Sequence, residues 1–200
     1  MKSPIIFEKN TGKPFKLFEK LYLEAIKIKQ KSIDAMVVAT AFKDVPSSRV
    51  VNLKYVRQNE FIFFTNYKSQ KGKELAKNNN ISCLIYWNSM DIQVRFSGKA
   101  TATSNSFSDF HYSSRLYEKN IAAYSSNQSQ LIDRYSNLEK KYQENLKKFS
   151  GKSPERPKNW GGISIKPDYF EFWRASPSRL NKRECYKMTK GNWNKFYLQS

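Results

Sequence analysis

The stretch Ser48-Arg49-Val50-Val51-Asn52-Leu53-Lys54-Tyr55 reads as a strand in which mostly apolar residues lie between two fixed positive charges. A second apolar stretch, Phe61-Ile62-Phe63-Phe64-Thr65-Asn66, answers it, and Ser69-Gln70-Lys71-Gly72-Lys73 follows directly. Strand, turn, strand and basic helix start together predict a cradle for a phosphorylated ligand, because guanidinium, ammonium and free helical N–H groups all favour anions. Alternation along a flat strand puts Arg49 and Lys54 on opposite faces. They share one ligand only if the strand bends or ends there, or if they serve different sides of a dimer interface.

Working outward, residues 1–13 carry Gly and Pro punctuation without periodicity and read as a loosely draped arm. Phe18, Leu21, Tyr22, Ala25 and Ile28 then recur at helical spacing, predicting an amphipathic helix over residues 14–31 with Pro14 in its first turn. Residues 35–42 are a β-branched, apolar strand candidate, and residues 43–48 form a turn into the strand that begins at Arg49. Gln58-Asn59-Glu60 is a second turn, and Ser69 caps a short helix to about Asn78. Residues 81–87 and 92–103 continue a run of strands that suggests an antiparallel sheet or small barrel.

Beyond the strands, Ser106 with Asp109 has capping-box spacing for a helix ending near Arg115. From Gln128 to Phe149, Leu131, Tyr135, Leu138, Tyr142 and Leu146 predict one long helix with a buried stripe packed across the sheet. Residues 150–159 form a loop. Residues 160–165, 169–173, 184–188 and 193–198 are further strands, with Lys190-Gly191-Asn192 turning between the last two.

The 200 residues suit a single domain over residues 14–200 behind the arm of residues 1–13, and a composition 39% hydrophobic and 15% aromatic suits a packed core. No apolar run approaches the roughly 18 residues of a membrane span. No signal-peptide core precedes Glu8, so a cytoplasmic location is the simplest expectation. The two cysteines, Cys83 and Cys185, lack any CxxC spacing and read as buried thiols. A single histidine, His111, excludes a multi-histidine metal centre, so no metal is expected and hydrolase chemistry is poorly supported. The net charge of +19 admits nucleic acid, an anionic membrane surface or small phosphorylated ligands. Most lysines sit in mixed stretches that a solvated helix face explains, and no nucleic-acid motif accompanies them, so neither a specific nucleic acid nor a membrane is expected as partner.

Several segments, in order, resemble the pyridoxamine 5′-phosphate oxidase family of flavin mononucleotide (FMN) enzymes. They are Ala35-Met36-Val37-Val38-Ala39-Thr40, Ser48-Arg49-Val50-Val51-Asn52-Leu53-Lys54, Phe64-Thr65-Asn66 with Ser69-Gln70-Lys71, Gln93-Val94, Asn127-Gln128-Ser129, Trp160-Gly161-Gly162, Phe170-Glu171-Phe172-Trp173 and Arg179-Leu180-Asn181-Lys182-Arg183. The resemblance implies a mainly β fold with flanking helices, a split β-barrel, assembled as a homodimer with two FMN at the subunit interface. It also implies an oxidase in which pyridoxamine or pyridoxine 5′-phosphate, a phosphorylated vitamin B6 form, gives hydride to the flavin, and O2 reoxidises it, yielding pyridoxal 5′-phosphate. By position, Arg49, Val50, Lys54, Phe64, Thr65, Gln70 and Lys71 would bind the cofactor. Gln93, Gln128, Ser129, Trp173 and Arg183 would complete its site. Lys54, His111, Arg115, Lys119 and Arg179 match substrate-contacting positions, and Arg179 with Asn181 the catalytic ones.

The chain departs from that family at informative places. Asn181 stands where a histidine is usual, and amide cannot exchange a proton near neutral pH. Gln70 replaces an arginine, His111 a tyrosine and Lys119 a serine, and the usual Arg-Leu-Ala-Pro end is replaced by Tyr197-Leu198-Gln199-Ser200. Two other readings therefore stand beside the vitamin B6 one: a related FMN oxidase of phenazine precursors, which the chain resembles around Lys71-Gly72-Lys73-Glu74-Leu75, Tyr86-Trp87 and Tyr197-Leu198-Gln199, and a flavin-binding split barrel without turnover.

Overall fold

Left-handed backbone at paired positions sets the register of the sheet. In the computed structural model, which describes residues 4–200, Lys43 and Asp44 have φ of 50° and 61°, and Gln58 and Asn59 have 52° and 62°. Each pair closes a two-residue hairpin, the turn whose twist matches antiparallel strands. The hairpins join β2 (Ala35–Phe42), β3 (Val45–Arg57) and β4 (Glu60–Asn66). The expected turn over residues 43–48 is thus corrected to two residues, and β3 starts at Val45 rather than Arg49.

After α2 (Gln70–Lys77), the chain adds β5 (Asn80–Trp87), β6 (Ile92–Ala102) and, after three helices, β7 (Trp160–Arg174). The order β3-β2-β5-β6-β7, with β4 pairing both β3 and β7, closes a six-strand antiparallel barrel. One edge of β7 pairs with β6; the other pairs first with β4 and then with β8 (Lys182–Thr189), which β9 (Asn192–Leu198) continues. This shared edge splits the barrel. The two strands expected over residues 160–165 and 169–173 are therefore one strand of 15 residues. It bends at a β-bulge of its own, where Tyr169 lies opposite Ser97 and Pro167 opposite Gly98 with Asp168 unpaired between them, and a Cβ on Gly98 would stand 2.1 Å from the Lys166 carbonyl oxygen.

Helix α1 (Lys13–Lys27) ends before the predicted Lys31, and Lys29 and Ser32 turn left-handed after it. Its apolar face puts Phe15 5.4 Å from Phe61 and 5.1 Å from Phe170, and Phe18 5.5 Å from Trp87. Phe61 stacks in turn on Phe96 at 4.1 Å inside the barrel. Each such side chain contributes about 1.5–3 kcal/mol on full burial. The loosely draped reading of the arm is corrected where the structure describes it: Ile5 is buried and β1 (Ile6–Glu8) pairs in parallel with residues 55–57 of β3. Asn10 and Asn59 fasten the same corner, with the Asn59 N–H donating to Asn10 Oδ1 at 3.0 Å. Residues 1–3 lie outside the described residues.

The helices between β6 and β7 differ most from expectation. Ser104, not Ser106, caps α3 (Asn105–Ser113), accepting from the Phe107 N–H at 3.2 Å. Helix α4 (Tyr117–Ser125) was not anticipated, because its small apolar residues Ala122 and Ala123 and its uncapped start leave little periodic signal. Helix α5 spans Tyr135–Phe149 only, and residues 128–134 are irregular. The stripe expected to be buried across the sheet instead meets α4: Leu131 and Tyr135 are exposed, Leu138 and Tyr142 half-buried, and Asn145 is the buried residue of the helix, donating to Ser125 Oγ at 2.9 Å. With α4 as its support, the helix has too little neighbouring surface to cover its whole apolar face.

Candidate active site

The cleft forms where β3, β4, α3 and the start of β7 meet, and it encloses roughly 350 Å³. Strand β3 sends Val50, Asn52 and Lys54 to it, on the face opposite the core-packed Leu53. A β-bulge between Leu53 and Tyr55 then moves Tyr55 to the same outer side, while Val56 returns to the core. The bulge inserts Lys54 itself and leaves the alternation from Arg49 to Leu53 unbroken, so it does not turn Arg49 toward that residue. The opposite-face expectation for Arg49 and Lys54 holds: Lys54 lines the cleft and Arg49 does not.

Each basic group has a different balance of charge. Lys54 Nζ donates to Asp34 Oδ2 at 2.7 Å. Arg49 donates to Thr40 Oγ1 at 2.5 Å and Ser47 Oγ at 2.6 Å, and pairs with Glu74 at 3.3 Å. Burial alone would raise the Glu74 carboxyl, but hydrogen bonds from Thr40, Ser47 and Gln70 and the charge of Arg49 hold it below the usual carboxylate range. Gln70 is spent on this cluster, its Nε2 donating to Glu74 at 2.9 Å.

Lys71 is the exception. Its side chain enters the cleft from the first turn of α2, whose Ser69 cap accepts from the Gly72 N–H, and it is only 6% exposed. Its ammonium donates to Thr65 Oγ1 at 3.2 Å and makes no ion pair among the described residues. Burial and nearby Arg49 lower its pKa, with Glu74 acting the other way. Gly72 permits this placement, because a Cβ there would lie 2.3 Å from the Tyr67 carbonyl oxygen. Thr65 Oγ1 donates onward to Gln128 Oε1 at 3.2 Å, giving the cleft a line of neutral polar groups beside the cation.

The far wall is aromatic. Phe64 stacks on His111 at 3.7 Å and on Trp160 at 5.3 Å, and the Arg115 guanidinium lies 4.6 Å from the Trp160 ring centre. Arg115 donates to Asn120 Oδ1 at 3.0 Å. Burial lowers its pKa, yet a guanidinium stays charged. Lys119 is exposed at the rim. Burial, Arg115 and Lys54 push His111 down to about 4, so its ring is neutral near physiological pH. A buried unpaired ammonium beside further cations and neutral donors suits a dianionic phosphate, and the flat aromatic wall suits a planar ring.

Of the residues named from sequence, Val50, Lys54, Phe64, Thr65, Lys71 and Gln128 line the cleft with His111, Arg115 and Lys119. The others do not line it within one chain. Ser129 opens onto a neighbouring hollow beside α5. Gln93, Trp173 and Arg183 are lateral neighbours across β6, β7 and β8, on the face turned away from core residues Val94 and Phe172. Arg183 pairs with the buried Glu171 at 2.7 Å. Arg179 is exposed in the loop between β7 and β8 with φ of 59°, and Asn181 Oδ1 accepts from the Ser176 N–H at 3.1 Å in that loop. Asp34, Asn120, Tyr55 and the Arg49 partners Thr40, Ser47 and Glu74 were missed, since their roles depend on contacts between distant segments. Trp160 carried a signal in its Trp-Gly-Gly motif.

Residues 23–173 match the family model described as pyridoxamine 5′-phosphate oxidase, and residues 160–200 match that of the pyridoxine 5′-phosphate oxidase C-terminal dimerisation region. Barrel, cleft and matches together define a split-barrel, flavin-dependent oxidase. The chain belongs to the pyridoxamine 5′-phosphate oxidase family. It is 38% identical over 185 residues to a pyridoxine/pyridoxamine 5′-phosphate oxidase of Actinobacillus pleuropneumoniae serotype 5b (strain L20), covering 91% of this chain and 87% of that one. The corresponding enzyme of Paraburkholderia phytofirmans (strain DSM 17436 / LMG 22146 / PsJN) is 41% identical over 174 residues, covering 86% and 81%. Among solved structures, PhzG from Burkholderia lata 383 in complex with tetrahydrophenazine-1-carboxylic acid matches with a TM-score of 0.91 and 28% identity, over 96% of this chain and 95% of that one. No helix among the described residues is long and apolar enough to cross a membrane.

Proposed function

We propose that this protein is an FMN-dependent oxidase that converts pyridoxamine or pyridoxine 5′-phosphate to pyridoxal 5′-phosphate with O2 as electron acceptor. The observation that carries the reading is Lys71, a buried ammonium without a carboxylate partner, which the FMN phosphate would neutralise. Arg49 would add charge at the same end, and Thr65 and Gln128 would offer neutral hydrogen bonds. At the other end, Lys54, His111, Arg115 and Lys119 would hold the substrate phosphate. Bound FMN supplies a two-electron acceptor that O2 restores. The protein's part is to bind both anions and to orient the substrate, for which exposed Arg179 is the proposed residue.

The row Gln93, Trp173 and Arg183 lies in or beside the region that matches the dimerisation model, and outside the cleft of its own chain. It would complete the cleft of a partner in a homodimer, each subunit giving two kinds of residue to two sites. Anaerobic addition of pyridoxamine 5′-phosphate to the yellow protein is expected to bleach the flavin. A colourless protein that gains no thermal stability from FMN would overturn the whole reading. The likeness to PhzG favours a second reading, a phenazine-precursor oxidase; bleaching by such tricyclic carboxylates, and not by the phosphorylated amine, would select it. A yellow protein that no donor bleaches would be a flavin binder without turnover.

A further inference from the structure

Tyr55 and His111 form a hydrogen-bonded pair in the wall of the cleft. The Tyr55 hydroxyl lies 3.0 Å from His111 Nδ1, and the two rings meet edge to face at 5.4 Å. Phe64 stacks on the imidazole at 3.7 Å, which fixes the plane of the ring. Among the described residues His111 Nε2 has no hydrogen-bond partner and no buried side-chain nitrogen or oxygen is left unsatisfied, so Nε2 opens to the cleft. Resting on the phosphorylated-ligand reading, we propose that Tyr55 is a positioning residue: its hydroxyl donates to His111 Nδ1, locks the neutral ring as the Nε2–H tautomer, and so gives the cleft an uncharged N–H donor for the substrate phosphate.

Two physical arguments fix the direction of the proton. A phenol is a far stronger acid than a neutral imidazole N–H, so O–H to nitrogen is the better hydrogen bond of the two possible. Burial raises the Tyr55 phenol further, which keeps that proton in place. The ring cannot serve instead as an imidazolium. Lys54 of β3 and Arg115 of the turn after α3 face it, Lys71 and Lys119 line the same cleft, and Phe64 and Trp160 offer no compensating carboxylate. The opposite tautomer would aim a lone pair at an incoming phosphate and repel it. The pair thus adds a donor where another cation would be costly.

The chain has one histidine, so tag-free holoprotein labelled with nitrogen-15 histidine shows a single imidazole by NMR. Near neutral pH the ring is expected to carry its proton on Nε2 with Nδ1 an unprotonated acceptor. Tyr55→Phe is expected to give a mixture of tautomers and to weaken inhibition by inorganic phosphate by about 5-fold, with FMN content unchanged. A wild-type ring protonated on Nδ1, or on both nitrogens, overturns the proposal whether or not the variant folds. So does a Tyr55→Phe protein with the same tautomer and the same phosphate inhibition. Should the protein bind no FMN, the oxidase reading fails by that observation, while the tautomer remains a separate measurement.

Discussion

Arg156 donates from Nε to Asp109 Oδ1 at 2.5 Å and thereby ties the loop before β7 to the helix that carries His111. Its other nitrogens reach the Trp160 carbonyl oxygen at 2.5 Å and Asn105 Oδ1 at 3.2 Å, so one side chain holds two aromatic members of the cleft wall in register. Arg156→Ala is expected to cost about 1–3 kcal/mol of stability, since the hydrogen bonds are lost from a largely buried guanidinium. Its KM for the phosphorylated substrate should rise several-fold while FMN is retained. Denaturation midpoints and steady-state kinetics on the holoprotein check both.

Lys71→Met is expected to weaken FMN binding about 10- to 150-fold, the ~1.5–3 kcal/mol of a charge-assisted contact. The FMN-free variant should be no less stable than wild type, because the substitution removes a buried charge that has no ion-pair partner. Flavin fluorescence titration and thermal melts of both apoproteins read the two effects separately. A clear loss of apoprotein stability would contradict the assignment of Lys71 to an anion site.

The low pKa of His111, about 4 in the folded protein against an ordinary 6.5, has a definite sign. The unfolded ring takes up its proton first as pH falls, so the contribution is complete above pH 6.5, shrinks between 6.5 and 4, and is lost below. Carboxylates titrate over part of the same range. The useful measurement is therefore the difference in denaturant midpoint between wild type and His111→Phe, which is expected to change across that window and to be flat above it.

Arg179→Ala is expected to depress turnover while the protein stays yellow, because Arg179 is exposed in a loop away from Lys71 and Thr65. Loss of colour in the purified variant would contradict that division of labour.

If each site draws on two subunits, mixing two proteins defective in different halves of the site restores activity at an FMN concentration too low to load the Lys71→Met protein. Lys71→Met combined with Arg183→Ala by subunit exchange should recover about a quarter of wild-type turnover, since half of the dimers are mixed and each has one intact site. No recovery, with exchange shown by mass spectrometry, would place all the functional residues of a site in one chain.

Much of the barrel was legible in the sequence because local rules govern it. Alternating apolar residues marked β2 and β4, Ser69 marked the start of α2, and the turn residues near Gln58 and Gly191 marked hairpins. The region from α3 to α5 was harder to read. Periodicity there measures a tendency to form an apolar face, whereas burial depends on what lies opposite, and α5 meets little beyond α4. The two halves of β7 looked like separate strands because Pro167 interrupts the pattern, and the bulge at Asp168 that carries the strand through is defined only by its register against β6.

The charged stretch around Arg49 and Lys54 shows where local chemistry stops. The sequence by itself determined that basic groups would gather near the start of α2, and that on a flat strand Arg49 and Lys54 would face opposite ways, because strand alternation is a property of the backbone. Tertiary structure decided which of those charges is compensated. Asp34 meets Lys54, Glu74 meets Arg49, and Lys71 is left buried with a hydroxyl as its hydrogen-bond partner. It also separated the row Gln93, Trp173 and Arg183 from the cleft. Ion pairing and burial are set by register between segments far apart in the chain, so they become definite only when the barrel closes.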